Sequence, residues 1–278
     1  IALQYLDILN TAGMDTALIS RRDKVEEAAN AAFLINIAIG ALSFGLAWVA
    51  APGIARFFKE EAVTELFRVL AIVLPINGLA LVPDAMIQRG LRFKHRLQRD
   101  ISRNVTKGLV SIILVWSGLG VWGLIWGQVA ADIIAAVVVW RLAGWRPTWV
   151  FDRQAPREML VFGSHIILVG IIGALQSNVD YLLVGRLLGA AALGYYTLAY
   201  RVPELVIRGL NVAVGRVALP VLAQAQSDAQ MLRSAYFGYV RYITILTFPA
   251  GVGLALVASP FIKTLYTSRW EPAIPVMA

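Results

Sequence analysis

Residues 28–55 run AANAAFLINIAIGALSFGLAWVAAPGIA without one charged side chain. About 20 apolar residues in an α-helix cross the hydrocarbon core of a bilayer, so this stretch is long enough to span a membrane. The whole chain has the same character, because 59% of its 278 residues are hydrophobic, 15% are charged and the mean hydropathy is +0.69. Soluble domains carry about 25% charged residues, so the composition predicts a membrane protein.

Uncharged stretches recur along the rest of the chain, over residues 69–83, 108–131, 159–179, 187–200 and 242–262. The strict alternation of a membrane β-strand is absent, which leaves helices as the spanning element. SGLG at residues 117–120 predicts a turn between two helices. We therefore predict an all-α, polytopic helical membrane protein. After a helix ending near residue 19, helices are expected near residues 28–56, 65–88, 101–116, 121–141, 158–185, 193–222 and 235–260.

Basic residues are concentrated in alternate predicted loops, which sets the expected orientation. The loops with more Lys and Arg should be cytoplasmic. The loops on the other side contain fewer basic residues, namely Arg56, Lys59, Arg186, Lys263 and Arg269. The net charge of +8 needs no nucleic-acid partner, since loop arginines are attracted to an anionic leaflet. The basic segment 89–99 is expected to be a loop that fixes this topology, with steering of a diphosphate head group as the alternative. The residues assigned to the cytoplasmic side are Arg21, Arg22, Lys24, Arg89, Arg92, Lys94, Arg96, Arg99, Arg141, Arg146, Arg153, Arg157 and Arg233.

Residue types that support metal, thiol or acid–base chemistry are scarce. There is no cysteine, and His95 and His165 are the two histidines. We therefore expect no metal site, no cofactor and no catalytic residues. The chain begins at Ile1 rather than Met, and residues 273–278 resemble the start of another helix, so a fragment of a longer protein is expected.

An internal repeat suggests two similar halves. GLAWVAAPGI at residues 45–54 and GLALVASPFI at residues 253–262 agree at seven of ten positions without a gap. Both copies run outward from the basic side, as in a parallel repeat. Chance similarity between apolar helices is the alternative. The predicted organisation is an N-terminal helical lobe over 1–143 that lacks its first helix, an inter-lobe loop over 144–157, and the start of a truncated C-terminal lobe over 158–278.

Charged residues interrupt one apolar stretch in a regular way. Arg201, Glu204, Arg208 and Arg216 lie within residues 187–222, inside an arc of roughly 120° on one helix face. This cationic stripe extends about 22 Å along the helix, most of the thickness of a hydrocarbon core. Charged residues at such depth usually face a bundle interior or a water-filled cavity. We therefore expect the stripe to line a path for an anionic ligand.

Several stretches carry a family resemblance. They are DTALISRRD at 15–23, RGLRFK at 89–94, GVWGL at 120–124, WRP at 145–147 with FDR at 151–153, and residues 178–201, which contain NVD, VGRLLG, ALGYY and AYR. In this order and spacing, the chain resembles bacterial polysaccharide transporters and lipopolysaccharide exporters of the Wzx type, within the MOP flippase superfamily. The resemblance extends through nearly the whole chain.

That resemblance implies a two-lobe helix bundle around a cavity, with an incomplete second lobe in this chain. It implies a transporter, not an enzyme, that moves undecaprenyl-pyrophosphate-linked oligosaccharide across the bacterial inner membrane by alternating access. The implied partners are the lipid bilayer and the lipid-linked glycan, with a polysaccharide polymerase and the chain-length machinery as further candidates. Nucleic acid is not among them.

Candidate site residues have both functional and structural interpretations. Guanidinium groups of the stripe can neutralise a pyrophosphate or an acidic glycan. Alternatively, Glu204 pairs with Arg201 or Arg208 and lowers the cost of burying them, while Arg216 extends to the cytoplasmic interface.

Asn178 and Asp180 can bond a sugar or receive a coupling cation, or they can cap a helix and hold Arg186. A structural role is favoured for them. Ionisable groups within apolar stretches are candidates by default. The remaining acidic candidates are Asp7, Asp15, Asp84 and Asp132. Of these, Asp15 and Asp84 lie near basic loops and are expected to have loop or cap roles.

Two rival functions belong to other classes. A cation-coupled small-molecule exporter of the same superfamily should have an acidic, aromatic cavity, so the arginines count against it. A membrane polymerase or ligase that uses the same lipid carrier needs a base, nucleophile or metal-binding cluster in its loops. The predicted loops are short and contain no such cluster.

Overall fold

The structure, a computed structural model, describes residues 6, 8, 13–21, 23–148, 155–224 and 228–277. Within residues 155–165 and at several positions from 212 to 224, including Arg216, the description covers the backbone alone. In these ranges all regular structure is helical, which confirms the predicted all-α class. The α-helices are α1 (Met14–Ser20), α2 (Val25–Phe58), α3 (Ala62–Ala71), α4 (Val73–Arg89), α5 (Phe93–Leu114), α6 (Val121–Leu142), α7 (Ala155–Leu187), α8 (Gly189–Gln224), α9 (Ala229–Leu265) and α10 (Ile274–Met277).

Five described helical segments are long and apolar enough to cross a membrane. The chain is therefore a multi-pass membrane protein. One of the five segments is α3 and α4 taken together, which are separated by a single residue, Ile72. Pro75 explains this irregularity, because it lacks an N–H and its ring crowds the carbonyl group of Ala71. The five segments are Val25–Phe58, Ala62–Arg89, Val121–Leu142, Ile166–Leu187 and Gln230–Leu265.

The basic segment 89–99 is helical over most of its length, so its prediction as a loop is wrong. Arg89 ends α4, and α5 begins at Phe93, well before the predicted start at residue 101. Lys, Arg and Gln favour helices almost as strongly as Leu, and they carry α5 past the limit of the apolar run. Six apolar residues at four-residue spacing form one exposed row on this helix: Phe93, Leu97, Ile101, Val105, Leu109 and Ile113.

A tight reversal joins α5 to α6, as the sequence predicts. The last turn of α5 widens into a π-helical segment, Val115–Leu119, and the left-handed φ angles of Gly118 (92°) and Gly120 (51°) then reverse the chain. Glycine adopts such angles at little cost. The antiparallel hairpin that results places α5 and α6 side by side along most of their lengths.

Small residues allow α5 and α6 to approach closely. Gly123 and Gly127 are buried on α6, and a methyl group added at Gly127 would lie 3.0 Å from the backbone nitrogen of Ser111. Small residues four apart are typical of helix pairs in membranes, where van der Waals packing drives association. Buried Ala131 and Ala135 continue the same face of α6.

The chain divides into two compact units, residues 1–180 and 181–278. In the first unit, α1, α2 and α4 enclose a cluster that includes Met14, Leu18 and Val82. In the second, α8, α9 and α10 bury Ala199 and Ile262 among their neighbours. The predicted lobes over 1–143 and 158–278 and the loop 144–157 stay a prediction, and residues 149–154 of that loop lie outside the described ranges.

The repeated segments lie near the ends of α2 and α9, but they bury different faces. In α2, Ala47 and Ala51 are buried. In α9, Ala258 and Ile262 are buried. The repeat aligns them with two residues of α2 that are not buried, since Ala50 is exposed and Ile54 is half-buried. The two copies therefore share sequence and helical structure but not their packing.

Candidate functional site

Four side chains form a row along α8 at a spacing of four residues. Tyr196, Tyr200, Glu204 and Arg208 succeed one another in this row, which we call the α8 row. Positions four apart lie on the same face of an α-helix, so the row changes from aromatic to acidic to basic along one surface. At 1.5 Å per residue it is about 18 Å long.

Glu204 forms ion pairs with both neighbouring arginines. Its Oε2 lies 3.6 Å from Nη1 of Arg201, and its Oε1 lies 3.6 Å from Nη1 of Arg208. The structure thus brings three of the predicted stripe residues together. Because one carboxylate faces two guanidinium groups, the triad keeps a net positive charge.

The two arginines remain open to their surroundings despite these ion pairs. The side chain of Arg201 is 67% exposed and that of Arg208 is 74% exposed, whereas Glu204 is 33% exposed. Ion pairs with such exposure contribute at most about 1 kcal/mol in water. Pairing with Glu204 through Nη1 therefore leaves the other N–H groups of each guanidinium accessible to a ligand.

A cavity of about 680 Å³ lies beside the α8 row, between α8 and α10. Three polar residues of α8, Glu204, Arg208 and Asn211, line it together with apolar residues of α8 and α10. This mixture of a few polar groups with apolar walls is typical of small-molecule sites. The lining residues are Ala199, Tyr200, Pro203, Glu204, Ile207, Arg208, Asn211, Val276 and Met277.

Three other predicted site residues are not members of this triad. Asn178 and Asp180 are near the C-terminal end of α7, and the amide of Asn178 donates a hydrogen bond to the carbonyl oxygen of Ala174, one turn earlier. This bond fits the structural role that the sequence favoured. Arg216 is in the last third of α8, and its side chain lies outside the described residues.

A second polar cluster connects α5 to α6. The carboxylate of Asp132 accepts a hydrogen bond from Nε of Arg103 and another from Nε2 of Gln128, each at 2.6 Å. The Asp132 side chain is 1% exposed. A buried carboxylate needs this many partners because its desolvation is costly. We interpret the cluster as a structural link between the two helices.

Two of the other acidic candidates, Asp84 and Asp15, also have structural partners. Asp84 on α4 accepts a hydrogen bond from Nε2 of Gln88 and lies 3.7 Å from Arg99 of α5. Asp15 accepts a hydrogen bond from the backbone N–H of Thr16. Asp7 lies outside the described residues.

Arg89 has a structural role that the sequence did not predict. Its guanidinium group donates hydrogen bonds to the carbonyl oxygens of Leu18, Ile19 and Arg21 at the end of α1. A cation at this position satisfies carbonyl groups that have no partner within the helix and interacts favourably with the helix dipole. Arg89 therefore holds α1 against α4.

The described residues contain no group of three His, Cys, Asp or Glu side chains that could hold a metal ion. Sequence reasoning missed Arg103 and the tyrosines of the α8 row. Arg103 and Asp132 lie at nearly equal distances along the chain from the turn at residues 117–120. Such residues lie opposite each other in an antiparallel helical hairpin, so their contact could have been predicted. The four-residue spacing from Tyr196 to Arg208 was likewise available in the sequence.

Comparison with known proteins gives consistent matches along nearly the whole chain. Teichuronic acid biosynthesis protein TuaB of Bacillus subtilis is 28% identical over 275 residues, which are 98% of this chain and 57% of that protein. Lipopolysaccharide biosynthesis protein WzxC of Escherichia coli is 23% identical over 290 residues, covering 100% of this chain and 57% of WzxC. Succinoglycan biosynthesis transport protein ExoT of Rhizobium meliloti is 22% identical over 276 residues, which are 99% of this chain and 56% of ExoT.

The chain thus spans little more than half the length of these relatives. No solved structure matches it. The polysaccharide biosynthesis protein family matches residues 1–275, and this agrees with the resemblance carried by the sequence motifs. The chain therefore belongs to the polysaccharide biosynthesis protein family.

Proposed function

We propose that this chain is part of an inner-membrane transporter, not an enzyme, that flips undecaprenyl-pyrophosphate-linked oligosaccharide by alternating access. The observation that carries the proposal is the arrangement of Arg201, Glu204 and Arg208 on one face of α8, with Glu204 and Arg208 lining a cavity. Exposed guanidinium groups next to a cavity suit a diphosphate, because their planar N–H forks bind phosphate oxygens in pairs.

The names of the relatives support the same class of substrate. ExoT is named as a transport protein in succinoglycan biosynthesis, and TuaB and WzxC are named for the synthesis of teichuronic acid and lipopolysaccharide. These are different polysaccharides. A part of the substrate that they share, such as a lipid diphosphate, is a better match for the arginines than any single sugar. A polysaccharide polymerase and the chain-length machinery are proposed as further partners.

The two rival functions find less support. A small-molecule exporter should present acidic and aromatic groups. Tyr200 and Glu204 do line this cavity, but the two arginines give the triad beside it a net positive charge, which counts against this rival. A polymerase or ligase needs a positioned base or a metal, and two of the acidic candidates, Asp132 and Asp84, are engaged in structural contacts between helices.

Coupling to an ion gradient is a further part of the proposal. A proton or sodium gradient would drive reorientation, with Glu204 or Asp180 as the carrier. Loss of transport when both gradients are collapsed would support this coupling, and undiminished transport would remove it.

The test uses proteoliposomes that contain the full-length protein. We expect labelled undecaprenyl-pyrophosphate-linked glycan, supplied in one leaflet, to become accessible to an impermeant glycosidase on the other side. Protein-free liposomes are the control. An enzyme would instead lengthen or transfer the glycan, which mass spectrometry would detect, and no movement of the lipid would contradict the proposal.

A further inference from the structure

Three tyrosines form a compact cluster at the aromatic end of the α8 row. The rings of Tyr196 and Tyr200 are stacked, with centroids 5.6 Å apart and an angle of 19° between their planes. Tyr181 meets both of them edge-on, at 5.3 Å from Tyr196 and 6.2 Å from Tyr200. Offset-stacked and edge-to-face contacts are the favourable arrangements of aromatic rings, so each ring helps to hold the others in place.

This cluster is distinct from the hydrophobic core of the second unit. The neighbouring Tyr195 packs in that core and contacts Trp270 edge-on at 6.0 Å. Tyr200, in contrast, is 51% exposed and lines the cavity together with Glu204 and Arg208. The two adjacent tyrosines of ALGYY therefore differ in position: Tyr195 packs in the core, and Tyr196 belongs to the α8 row.

A stacked aromatic surface next to charged hydrogen-bonding groups suits a carbohydrate. One face of a pyranose ring carries C–H groups and is apolar, while its edge carries hydroxyl groups. The apolar face gains from contact with an aromatic ring because both surfaces leave water. The hydroxyl groups can donate hydrogen bonds to the carboxylate of Glu204, one helical turn after Tyr200.

We infer that Tyr181, Tyr196 and Tyr200 form a sugar-binding platform that takes a pyranose ring of the glycan. This inference rests on the proposed function and assigns the two parts of the substrate, sugar and diphosphate, to different residues. The tyrosines bind the sugar next to the lipid diphosphate, and Arg201 and Arg208 bind the diphosphate itself. The α8 row places Tyr196, Tyr200 and Arg208 in that order within about 18 Å, and Arg201 directly follows Tyr200 in the chain, so one ligand can contact both ends of the row.

Tyrosines also anchor membrane proteins at the bilayer interface, which is the structural alternative. An interfacial anchor needs its hydroxyl group at the head-group level and does not distinguish one ligand from another. A sugar platform needs the aromatic face, and it affects the glycosylated lipid alone. The two roles therefore respond differently to phenylalanine and to the choice of ligand.

The experiment measures equilibrium binding to the full-length protein in detergent. The two probes are undecaprenyl pyrophosphate and its glycan-bearing form, isolated from the bacterium that encodes the protein. The test variant carries Tyr196→Leu and Tyr200→Leu. Tyr196→Phe with Tyr200→Phe keeps the aromatic faces, and Tyr242→Leu is the matched control, because Tyr242 is exposed on α9 and does not line the cavity.

We expect the unchanged protein to bind the glycan-bearing lipid more tightly than the bare lipid. The double leucine variant should lose about tenfold in affinity for the glycan-bearing lipid and keep its affinity for the bare lipid. The double phenylalanine variant and the Tyr242→Leu control should stay within about twofold of the unchanged protein.

Other outcomes separate this inference from the proposed function. Equal binding of both lipids by the unchanged protein, or an equal loss for both in the leucine variant, would overturn the sugar platform and leave the diphosphate site standing. Unaltered binding by the leucine variant would overturn it as well. If the unchanged protein binds neither lipid, the proposed function itself fails.

Discussion

At the scale of single residues, burial distinguishes charges that support the fold from charges that are available to a ligand. Asp132 is almost fully buried and has two short hydrogen bonds, whereas Arg201 and Arg208 are exposed and share one carboxylate. Sequence position alone cannot make this distinction, because all three residues interrupt apolar stretches. What decides their role is the partner that the fold supplies.

The contact between Arg103 and Asp132 leads to a prediction about stability. Arg103→Met should destabilise the protein by about 3–5 kcal/mol, because it leaves a buried carboxylate without its cation. Asp132→Leu combined with Arg103→Met should recover much of that loss, since no buried charge remains unpaired. Thermal unfolding in detergent measures both variants. Additive losses in the double variant would contradict a direct interaction between the two side chains.

At the scale of helices, the apolar runs of the sequence predicted most of the elements but not all of their limits. Long uncharged stretches predicted the membrane-length helices, and 117–120 was correctly predicted as a turn. The start of α5 was missed because its first turns are basic. Helix propensity and contacts of Arg96 and Arg99 with α4 stabilise these turns. Hydropathy carries no information about such a segment.

The close approach of α5 and α6 predicts that replacing two glycines of this hairpin by alanine changes the stability of the protein in opposite directions. Gly127→Ala should destabilise the protein by about 1–3 kcal/mol, because the added methyl group meets the backbone of Ser111. Gly108→Ala should be neutral or stabilise by up to about 1 kcal/mol, because Gly108 has open space around it and alanine is the better helix former. Melting temperatures of the two variants make the comparison, and equal shifts would contradict the packing of this hairpin.

At the scale of the whole molecule, the class of protein was predictable and the site only in part. Composition and resemblance predicted a helical, multi-pass member of this family, which the structure and the family match confirm. The stripe was visible as a helical pattern, and the ion pairs of Glu204 with Arg201 and Arg208 had been named from the sequence as the structural alternative. A cavity beside the stripe was expected, but its lining could not be predicted, because α10 supplies part of it and helix packing is not encoded in a local pattern.

The most direct test of the central claim is the translocation of undecaprenyl-pyrophosphate-linked glycan by full-length protein carrying Arg201→Ala and Arg208→Ala. We predict that the correctly folded double variant loses at least about 90% of the transport rate, since two phosphate-binding groups worth about 1.5–3 kcal/mol each are removed. Arg269→Ala, at an exposed position away from the cavity, should transport normally. Normal transport by the double variant would show that these arginines are structural and would contradict the anion path.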